Sequence, residues 1–424
     1  MKRYMAIVIA VLTALVFVGC QKPVTNNTDV DPTHVPGTVK VSYLNESGAH
    51  APIKIYTSNE ALLTGTAYNS LFTNVNLAFA QNMASAMPEG WTGVFSPLSL
   101  QIALEVLSNG GDEDTARKLL NAVCPGMTRA DVDASAAYLI AAIMKSNGVN
   151  ISTAVVVNNA DRLCQEFANK AADYYRAAVG ALDFSKPEEA LNEINEWMKK
   201  NTNGLIERIL DELRPDDAAV ILNALSLELK WASPFYAIRE LGEFKGHNGV
   251  EYVSLIQSAG DYSYGKFDDG EVAVLPYDGG EYAMAVILPS EGSDPVQAMN
   301  SLLGRLGELK TTNVLVKMPK LDIKTDLDIM QYAGAMNLAE GLGGIYPNLI
   351  ENGSTCVSKV VQSSVLKVTE DGTVAASGTA VVATKGEMII KGDVEFTVDR
   401  PYVTVIYHVE TGAVLFVSII NDII

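Results

Sequence analysis

The sequence predicts a large α+β domain that follows an N-terminal leader and tether, and three observations carry this prediction. The chain has 424 residues, of which 48% are hydrophobic, and this is enough for one large domain or two small ones. Its first residues form a short apolar segment behind two basic side chains. Short motifs are spaced from about residue 70 to the C-terminus with no large insertion evident, although length alone would favour two domains.

Residues 1–19 are predicted to be a lipoprotein signal peptide. Lys2 and Arg3 form a positive end, and the apolar stretch at 5–18 is shorter than a comfortable membrane span. The stretch ends in FVGC, which resembles a bacterial lipobox. We therefore expect acyl chains on Cys20, which would anchor the protein to a membrane without a transmembrane helix. An ordinary signal peptide with an incidental cysteine is the alternative.

Residues 20–58 are rich in Thr, Asn, Asp, Pro and Gly, a composition typical of a tether of low order. The globular domain is predicted at 59–424. Gln21 follows the acylated cysteine, as in lipoproteins that pass to the outer membrane of Gram-negative bacteria. We expect the protein to be anchored in the cell envelope at that membrane, and both periplasmic and surface-exposed orientations stay open.

The charge of the chain excludes one class of partner. Lys and Arg number 31 against 50 Asp and Glu, which gives a formal net charge of −19. Such a chain repels nucleic acids and anionic polymers at a distance. We expect no nucleic-acid partner and no activation by a glycosaminoglycan.

The sequence offers little for catalysis or cofactor binding. Of its four histidines, only His247 and His408 lie outside the N-terminal region near the tether, and the alternating pattern around His408 is typical of a strand. The common motifs for metal, phosphate or nucleophile sites are absent from the sequence. We therefore expect no enzyme activity, no metal and no cofactor.

Three cysteines remain besides the one assigned to lipid. Cys124, Cys164 and Cys356 are widely spaced and odd in number, so they predict no disulfide framework. Buried, unpaired thiols are expected, and a Cys124–Cys164 pair stays open as an alternative.

The stretch at 370–384 is the most distinctive of the chain. Two acidic residues and a glycine precede twelve residues that carry no charge, no proline, no aromatic ring and no aliphatic side chain larger than valine. A segment of this kind is soluble as an exposed loop. It also lacks the proline and charge that would prevent its insertion into a sheet.

Other motifs follow one another along the rest of the chain. In order, they are Val94–Ser99 (VFSPLS), Asp183–Phe184 (DF), Ile194–Trp197 (INEW), Thr202–Gly204 (TNG), Leu222–Ala224 (LNA), Lys230–Phe235 (KWASPF), Leu275–Tyr277 (LPY), Ile287–Pro289 (ILP), Met318–Leu321 (MPKL), Asp399–Tyr402 (DRPY) and Leu415–Phe416 (LF). These motifs and their order resemble the serpin family from about residue 70 onward, and the stretch at 370–384 resembles the start of the serpin reactive-centre loop with its hinge.

The resemblance implies the serpin fold, an α+β fold with a large central β-sheet, two smaller sheets and about eight or nine helices. An exposed reactive-centre loop would span about 370–395. The hinge residues that match the family are Glu370, Gly372, Thr373, Ala375, Ala376 and Ser377. The residues that match positions beneath the sheet opening are Ser96, Ser99, Asn223 and Trp231.

The function that the resemblance implies is irreversible suicide inhibition of serine endopeptidases, with cysteine endopeptidases as a further class. The protease cuts the loop and forms an acyl-enzyme. The cut loop then inserts into the central sheet and traps the protease in a covalent complex. The target endopeptidase and the membrane are thus the expected partners of a monomeric protein.

The scissile bond stays open between three positions. The usual family spacing, counted from Gly372, places it between Gly386 and Glu387. A loop shorter by one residue places it between Lys385 and Gly386, which would suit trypsin-like proteases, and this is the bond that we favour. A third option is cleavage after a small residue, namely Val382, Ala383 or Thr384.

Three departures from the family pattern bear on this interpretation. Gln362 stands where many members have histidine, Tyr402 replaces a phenylalanine, and the last strand reads Ser418-Ile419 and then Asp422-Ile423. They bring into question the hydrogen bonds beneath the sheet opening and the packing of the last strand. Gln362 should also remove any pH dependence that an imidazole would confer.

Two alternatives to inhibition stay open. One is a non-inhibitory lipoprotein with the serpin fold that acts as a carrier or a surface module. The other is a lipid-anchored protein that binds a small ligand, although no motif marks a site. The hinge from Thr373 to Thr384 has no bulky or charged residue, and this favours inhibition over the first alternative.

Overall fold

The computed structural model describes residues 68–145, 148–158, 163–351, 353–373 and 391–423. Within these ranges nine α-helices, one 3₁₀-helix and eighteen strands form three sheets. The helices are α1 (Leu71–Ala86), α2 (Pro97–Ser108), α3 (Glu113–Val123), α4 (Arg129–Ile143), α5 (Gln165–Tyr175), α6 (Pro187–Asn201), α7 (Pro295–Leu302), α8 (Ile329–Tyr332) and α9 (Ala339–Leu342), and the 3₁₀-helix is Leu303–Glu308.

The strands lie mostly in the second half of the chain. They are β1 (Gly93–Phe95), β2 (Val149–Asn158), β3 (Ala178–Leu182), β4 (Ala219–Leu227), β5 (Leu229–Lys230), β6 (Tyr236–Ala237), β7 (Gly242–Gly246), β8 (Gly249–Val253), β9 (Leu255–Phe267), β10 (Gly270–Pro276), β11 (Tyr282–Pro289), β12 (Lys310–Pro319), β13 (Leu321–Asp328), β14 (Lys359–Val368), β15 (Gly372–Thr373), β16 (Val394–Thr397), β17 (Tyr402–His408) and β18 (Val414–Ile420).

Helix α2 occupies the centre of the molecule. Ser96 caps its N-terminus by accepting a hydrogen bond from the backbone of Ser99, and Pro97 takes the first helical position, where its missing N–H costs nothing. All twelve residues of α2 are buried. The helix packs against β2 and β4 on one side and against β18 on the other, so it joins two sheets.

The central sheet is mixed and has seven strands. Their order is β3-β2-β4-β14-β15-β5, and β13 pairs with the free side of β14. Strands β4 and β14 are parallel neighbours over six residue pairs, from Val220 opposite Lys359 to Leu225 opposite Ser364. We call this contact the seam. At the end of the seam the two strands separate, and the short strand β15 lies between β14 and β5.

The second sheet has nine strands in the order β1-β18-β17-β11-β10-β9-β12-β16, with β6 paired to β9, and the third is the hairpin β7–β8. The large core lies around α2 and includes α1 and the inner face of the nine-stranded sheet. A smaller core lies where α6 packs on the central sheet through Ile194, Trp197 and Met198. Three sheets and nine helices in the described ranges agree with the α+β architecture that the sequence predicts.

The three cysteines of the domain are unpaired in the part of the chain that the structure describes. The Cys124–Cys164 disulfide that the sequence left open is therefore not formed. Cys124 is buried as expected, whereas Cys164 is half-buried and Cys356 is exposed, so the expectation of a buried thiol is wrong for Cys356. Among the described helices, none is long and apolar enough to cross a membrane.

A polar cluster lies inside the large core. The carboxylate of Glu105 on α2 accepts hydrogen bonds from Cys124 (2.9 Å) and Gln101 (3.1 Å) through one oxygen. Its other oxygen is buried and has no partner among the described residues. Burial is the main cause that raises the pKa of Glu105 to about 8, and the charge of Asp133 on α4 adds to it, whereas Arg129 acts in the opposite direction.

Glu105→Gln is expected to flatten the pH dependence of stability. Folding raises the pKa of Glu105 from 4.5 to about 8, so its stabilising effect is complete below pH 4.5. That effect is lost, at about 1.4 kcal/mol per pH unit, as the pH rises towards 8. Glutamine keeps the shape and cannot ionise. Thermal midpoints measured at several pH values should fall less steeply for this variant, while exposed Glu228→Gln serves as the control. Parallel curves for parent and variant would contradict the assignment.

Candidate functional site

A buried group of polar side chains holds the two strands of the seam together. Asn223 on β4 and Gln362 on β14 are opposite each other, and the Gln362 amide donates a hydrogen bond to the Asn223 carbonyl oxygen (3.0 Å). The hydroxyl of Ser99 donates to the same oxygen (2.7 Å), and the amide of Asn223 donates to Thr153 on β2 (3.0 Å). We call these residues, with Ser96, the shutter cluster.

Gln362 replaces the family histidine without leaving a polar group unpaired. Its carbonyl oxygen accepts from the backbone N–H of Ser96 (3.0 Å), and its amide donates to the Ser96 carbonyl (2.8 Å) as well as to Asn223. The hydrogen-bond network beneath the opening is therefore intact. It ties the N-terminus of α2 to both strands of the seam and consists of neutral groups.

Gln362→His is expected to make the stability of the seam depend on pH. A protonated imidazole donates through both nitrogens and cannot accept the hydrogen bond from Ser96 N–H. Since this site is 0% exposed, the charged form should be disfavoured and the variant should lose stability as the pH falls below about 6. Thermal melts of parent and variant at pH 5 and pH 8 measure this difference. A variant with the same pH profile as the parent would show that the imidazole does not enter the cluster.

The first residues of the predicted hinge lie inside the central sheet. Thr373 is opposite Val368 of β14 on one side and Leu229 of β5 on the other. Gly372 is opposite Lys230, so close that a Cβ on Gly372 would stand 2.1 Å from the carbonyl oxygen of Leu229. Only glycine fits at this point of the chain.

Aromatic rings line the place where the hinge enters the sheet. Trp231 and Tyr277 are stacked with their centroids 4.6 Å apart and an interplanar angle of 7°, and Phe235 lies 5.4 Å from Trp231. The Trp231 indole donates to the carbonyl of Thr369 (3.0 Å). The hydroxyls of Tyr277 and Thr373 share a hydrogen bond of 2.6 Å. We call this group of rings, with Thr373, the breach cluster.

The acidic residues of the hinge are held at the rim of this cluster. The carboxylate of Glu370 forms an ion pair with Lys320 (2.6 Å). The backbone carbonyls of Glu370 and Asp371 accept hydrogen bonds from Phe235 N–H (2.8 Å) and Trp231 N–H (3.0 Å). Because both side chains of the ion pair are partly exposed, solvent weakens the pair, and the backbone contacts contribute most to fixing the hinge.

The structure brings seven of the fourteen predicted site residues into two groups. Ser96, Ser99 and Asn223 meet in the shutter cluster, while Trp231 and Thr373 meet in the breach cluster with Glu370 and Gly372 beside them. The remaining predicted residues lie outside the described ranges, namely Ala375, Ala376, Ser377, Lys385, Gly386, Glu387 and Cys20.

The sequence alone did not identify Thr153, Tyr277 or Lys320 as parts of the site. Tyr277 and Lys320 belong to motifs that the family resemblance had marked, LPY and MPKL. Membership of these motifs was the sequence signal that could have identified the two residues, although it assigns no role to either. Thr153 belongs to no such motif.

The other departures from the family pattern affect the nine-stranded sheet and its end. The ring of Tyr402 packs edge-on against Phe244, and its buried hydroxyl has no partner among the described residues. Asp422 accepts two hydrogen bonds from Asn248 (2.8 and 2.7 Å), and Ile423 N–H donates to Glu251. The end of the chain is thus fixed by other contacts.

His408 lies in strand β17, as the alternating pattern around it predicts. His408 is 4% exposed and shares a hydrogen bond with Thr411 (2.9 Å), and burial lowers its pKa. In the described part of the chain no three His, Cys, Asp or Glu side chains come together as a metal site would require. The shutter and breach clusters together define a class of protein. In this class the central sheet is closed along a seam, and the start of an additional strand lies at one end of that seam.

Comparisons with known proteins identify this class. A family model described as Serpin (serine protease inhibitor) matches residues 74–423, so the chain belongs to the serpin family. An uncharacterized serpin-like protein of Thermococcus kodakarensis is 30% identical over 344 residues, which cover 76% of this chain and 79% of that protein. Neuroserpin of Homo sapiens is 24% identical over 361 residues, 80% of this chain and 87% of that protein.

Solved structures confirm the predicted serpin fold. Tengpin, a thermophilic serpin in its native state, matches with a TM-score of 0.73 at 20% identity, over 91% of this chain and 100% of that chain. A complex of thyroxine-binding globulin with thyroxine matches with a TM-score of 0.73 at 20% identity, over 84% and 99%. Members of the serpin family are generally protease inhibitors rather than enzymes.

Proposed function

We propose that this protein is an irreversible suicide inhibitor of serine endopeptidases, with cysteine endopeptidases as a further class. One observation carries the proposal. The central sheet is closed along the seam between β4 and β14. Where the strands separate, Thr373 already pairs with both β14 and β5, and Gly372 pairs with β5. A cut loop could extend from this point between β4 and β14.

Insertion would require the seam to open. The six residue pairs between β4 and β14 must separate, and with them the hydrogen bond from Gln362 to Asn223. The inserted strand would then pair its backbone on both sides, which an exposed loop cannot do. The closed sheet would therefore be metastable relative to the sheet that contains the inserted strand.

The length of the loop sets how far a bound protease would travel. About fifteen residues, counted from Gly372 to the scissile bond, span roughly 50 Å at ~3.3 Å each. Displacement of the acyl-enzyme over this distance would distort its active site and stall deacylation. The outcome depends on the rate of insertion relative to the rate of deacylation. If insertion is slower, the protease is released and the inhibitor is left cleaved; if insertion is faster, the protease is trapped.

A mixing experiment tests the proposal. The full chain in detergent is incubated with trypsin, an elastase and subtilisin, and each mixture is analysed on a denaturing gel and by intact mass. A stable band at the summed mass is the expected result, and the first residue of the released C-terminal peptide gives the scissile bond. Cleavage of the loop without a complex, with no gain in thermal midpoint after the cut, would contradict the proposal.

We also propose that acyl chains on Cys20 anchor the protein to the cell envelope at the outer membrane of a Gram-negative bacterium. The lipobox-like FVGC and the tether at 20–58 support this proposal. Cys20→Ala is expected to move the protein from the membrane fraction to the soluble fraction of a producing cell. An unchanged distribution would contradict the anchor.

A second candidate function, carriage of a small molecule, is favoured by a cavity of about 860 Å³. Its lining includes Tyr68, Thr73, Leu77, Tyr282, Tyr407 and Val409. A mostly apolar wall with a few hydroxyls suits a small apolar ligand that has a polar end. Thyroxine-binding globulin, among the similar structures, was solved with thyroxine. Native mass spectrometry of the protein purified from cells, with and without organic extraction, would detect a bound compound, and its absence would contradict this function.

A further inference from the structure

Tyr277 occupies an unusual position in the breach cluster. It follows β10 directly, is 0% exposed, and its backbone forms an isolated bridge with Trp231. Its ring is fixed by the stack on Trp231, so its hydroxyl is held at one place. That hydroxyl meets Thr373, which is 1% exposed, at 2.6 Å.

We propose that Tyr277 is a positioning residue for loop insertion, because its hydroxyl anchors Thr373 between β14 and β5. The inference rests on the proposed inhibitory function and gives one residue of the site a specific role. The anchor would hold the first two residues of the inserting strand in register before any protease arrives.

The register of Thr373 supports this role. Thr373 already pairs with Leu229 and Val368, one on each flanking strand. A strand that continues from Thr373 along the seam can keep both pairings, so the hydrogen bond to Tyr277 is compatible with the closed and the inserted sheet. Burial raises the pKa of Tyr277, and the hydroxyl therefore stays protonated and able to donate.

The anchor acts on the first step of strand addition, in which the first residue pairs form. Bringing a free segment into a sheet costs conformational entropy before the first pairs form. A segment that is already seated avoids much of that cost, and the remaining residues add one after another. Without the anchor, insertion should slow down relative to deacylation, and more inhibitor should be consumed as a substrate for each protease molecule trapped.

Tyr277→Phe tests this role, because it removes the hydroxyl and keeps the ring. Two quantities are measured on the full chain in detergent, namely amide hydrogen exchange in a peptide that covers Thr369 to Thr373 and the moles of inhibitor consumed per mole of protease trapped. The protease is whichever of trypsin, elastase and subtilisin forms the complex. The exchange rate and the ratio of cleaved to trapped inhibitor, which is the moles consumed per mole trapped minus one, are expected to rise about threefold to tenfold, the range that one neutral hydrogen bond gives.

Matched variants separate anchoring from a general loss of packing. Tyr262 is also buried and donates its hydroxyl to Ser258 (2.9 Å) in the other large sheet, so Tyr262→Phe should change neither quantity. Thr373→Val should reproduce Tyr277→Phe, and the two combined should add nothing further, since both remove the same hydrogen bond. Thr373→Ser, which keeps a hydroxyl, should behave like the parent.

The outcomes distinguish this inference from the proposed function. Unchanged exchange in Tyr277→Phe would overturn the anchor, and faster exchange with unchanged consumption of inhibitor would overturn its role in insertion. Effects of Tyr277→Phe and Thr373→Val that simply add would overturn the shared hydrogen bond. If the parent traps none of the proteases and gains no stability when cut, the proposed function fails, and the exchange measurement alone then decides whether Tyr277 holds Thr373.

Discussion

Thr373→Arg is expected to convert this protein from an inhibitor of its target protease into a substrate. Thr373 is 1% exposed and lies among Tyr277, Trp231 and the backbones of two strands. An arginine at this position would bring an unpaired cation into a buried site, at a cost of several kcal/mol, at least about 3. That cost falls on every state in which residue 373 is seated between β14 and β5, so the variant should unseat the hinge of the closed sheet and oppose insertion of the cut loop.

The measurement is the yield of covalent complex on a denaturing gel at increasing ratios of inhibitor to protease. The parent should give complex near equimolar ratio, while the variant should be cleaved with at least about a hundredfold loss of complex, since 1.4 kcal/mol corresponds to a factor of ten in rate. Thr373→Ser is the control and should retain the complex. A full yield of complex from the arginine variant would rule out insertion that begins at Thr373.

Cleavage of the loop is expected to raise the thermal midpoint by about 15–25 °C. About twelve inserted residues would form roughly twenty additional backbone hydrogen bonds, and at a net ~0.5–1 kcal/mol each these contribute about 10–20 kcal/mol. For a domain of about 350 residues, 1 kcal/mol corresponds to roughly 1.4 °C. A protease that cuts the loop without being trapped should produce this form.

The matched control for this measurement is the Thr373→Arg variant, cut by the same protease. Its loop should insert poorly, so its midpoint should change by only a few degrees. Calorimetry before and after cleavage, with the cut confirmed by intact mass, provides the comparison. A parent protein that loses stability on cleavage would behave as a simple binding module, and the carrier function would then be favoured.

The sequence predicted the parts of the site that depend on motifs. Ser96, Ser99 and Asn223 were expected beneath the sheet opening, and they do meet there because α2 is capped by Ser96 and points its first turn at the seam. The fold class followed from the same motifs. The fold prediction succeeds because each motif carries local information on a helix start, a strand or a turn.

Contacts between distant segments could not be predicted in this way. Gln362 brought the network beneath the opening into question, yet it completes the network through the backbone of Ser96, which is 266 positions away in sequence. The hydrogen bond between Tyr277 and Thr373 joins residues 96 positions apart. Such pairings depend on how the sheets pack, and a single sequence contains no direct signal of them.

The buried cluster around Glu105 was missed for a related reason. A glutamine and a glutamate on one helix normally indicate an exposed face, and α2 carries Gln101 and Glu105 four residues apart. The structure places both in the core, where Cys124 at the end of α3 donates to Glu105. The partner of a buried carboxylate becomes visible only when the helices are assembled.

The pairing of β1 with β18 has a consequence for how the protein is made. Residues 93–95 near the start of the domain are opposite residues 417–419 near its end. Contacts of such long sequence separation slow folding, and this one cannot form until the ribosome has released almost the whole chain. The central segments must therefore remain partly folded during synthesis. Loss of even the last ten residues should leave the newly made chain exposed to chaperones and degradation.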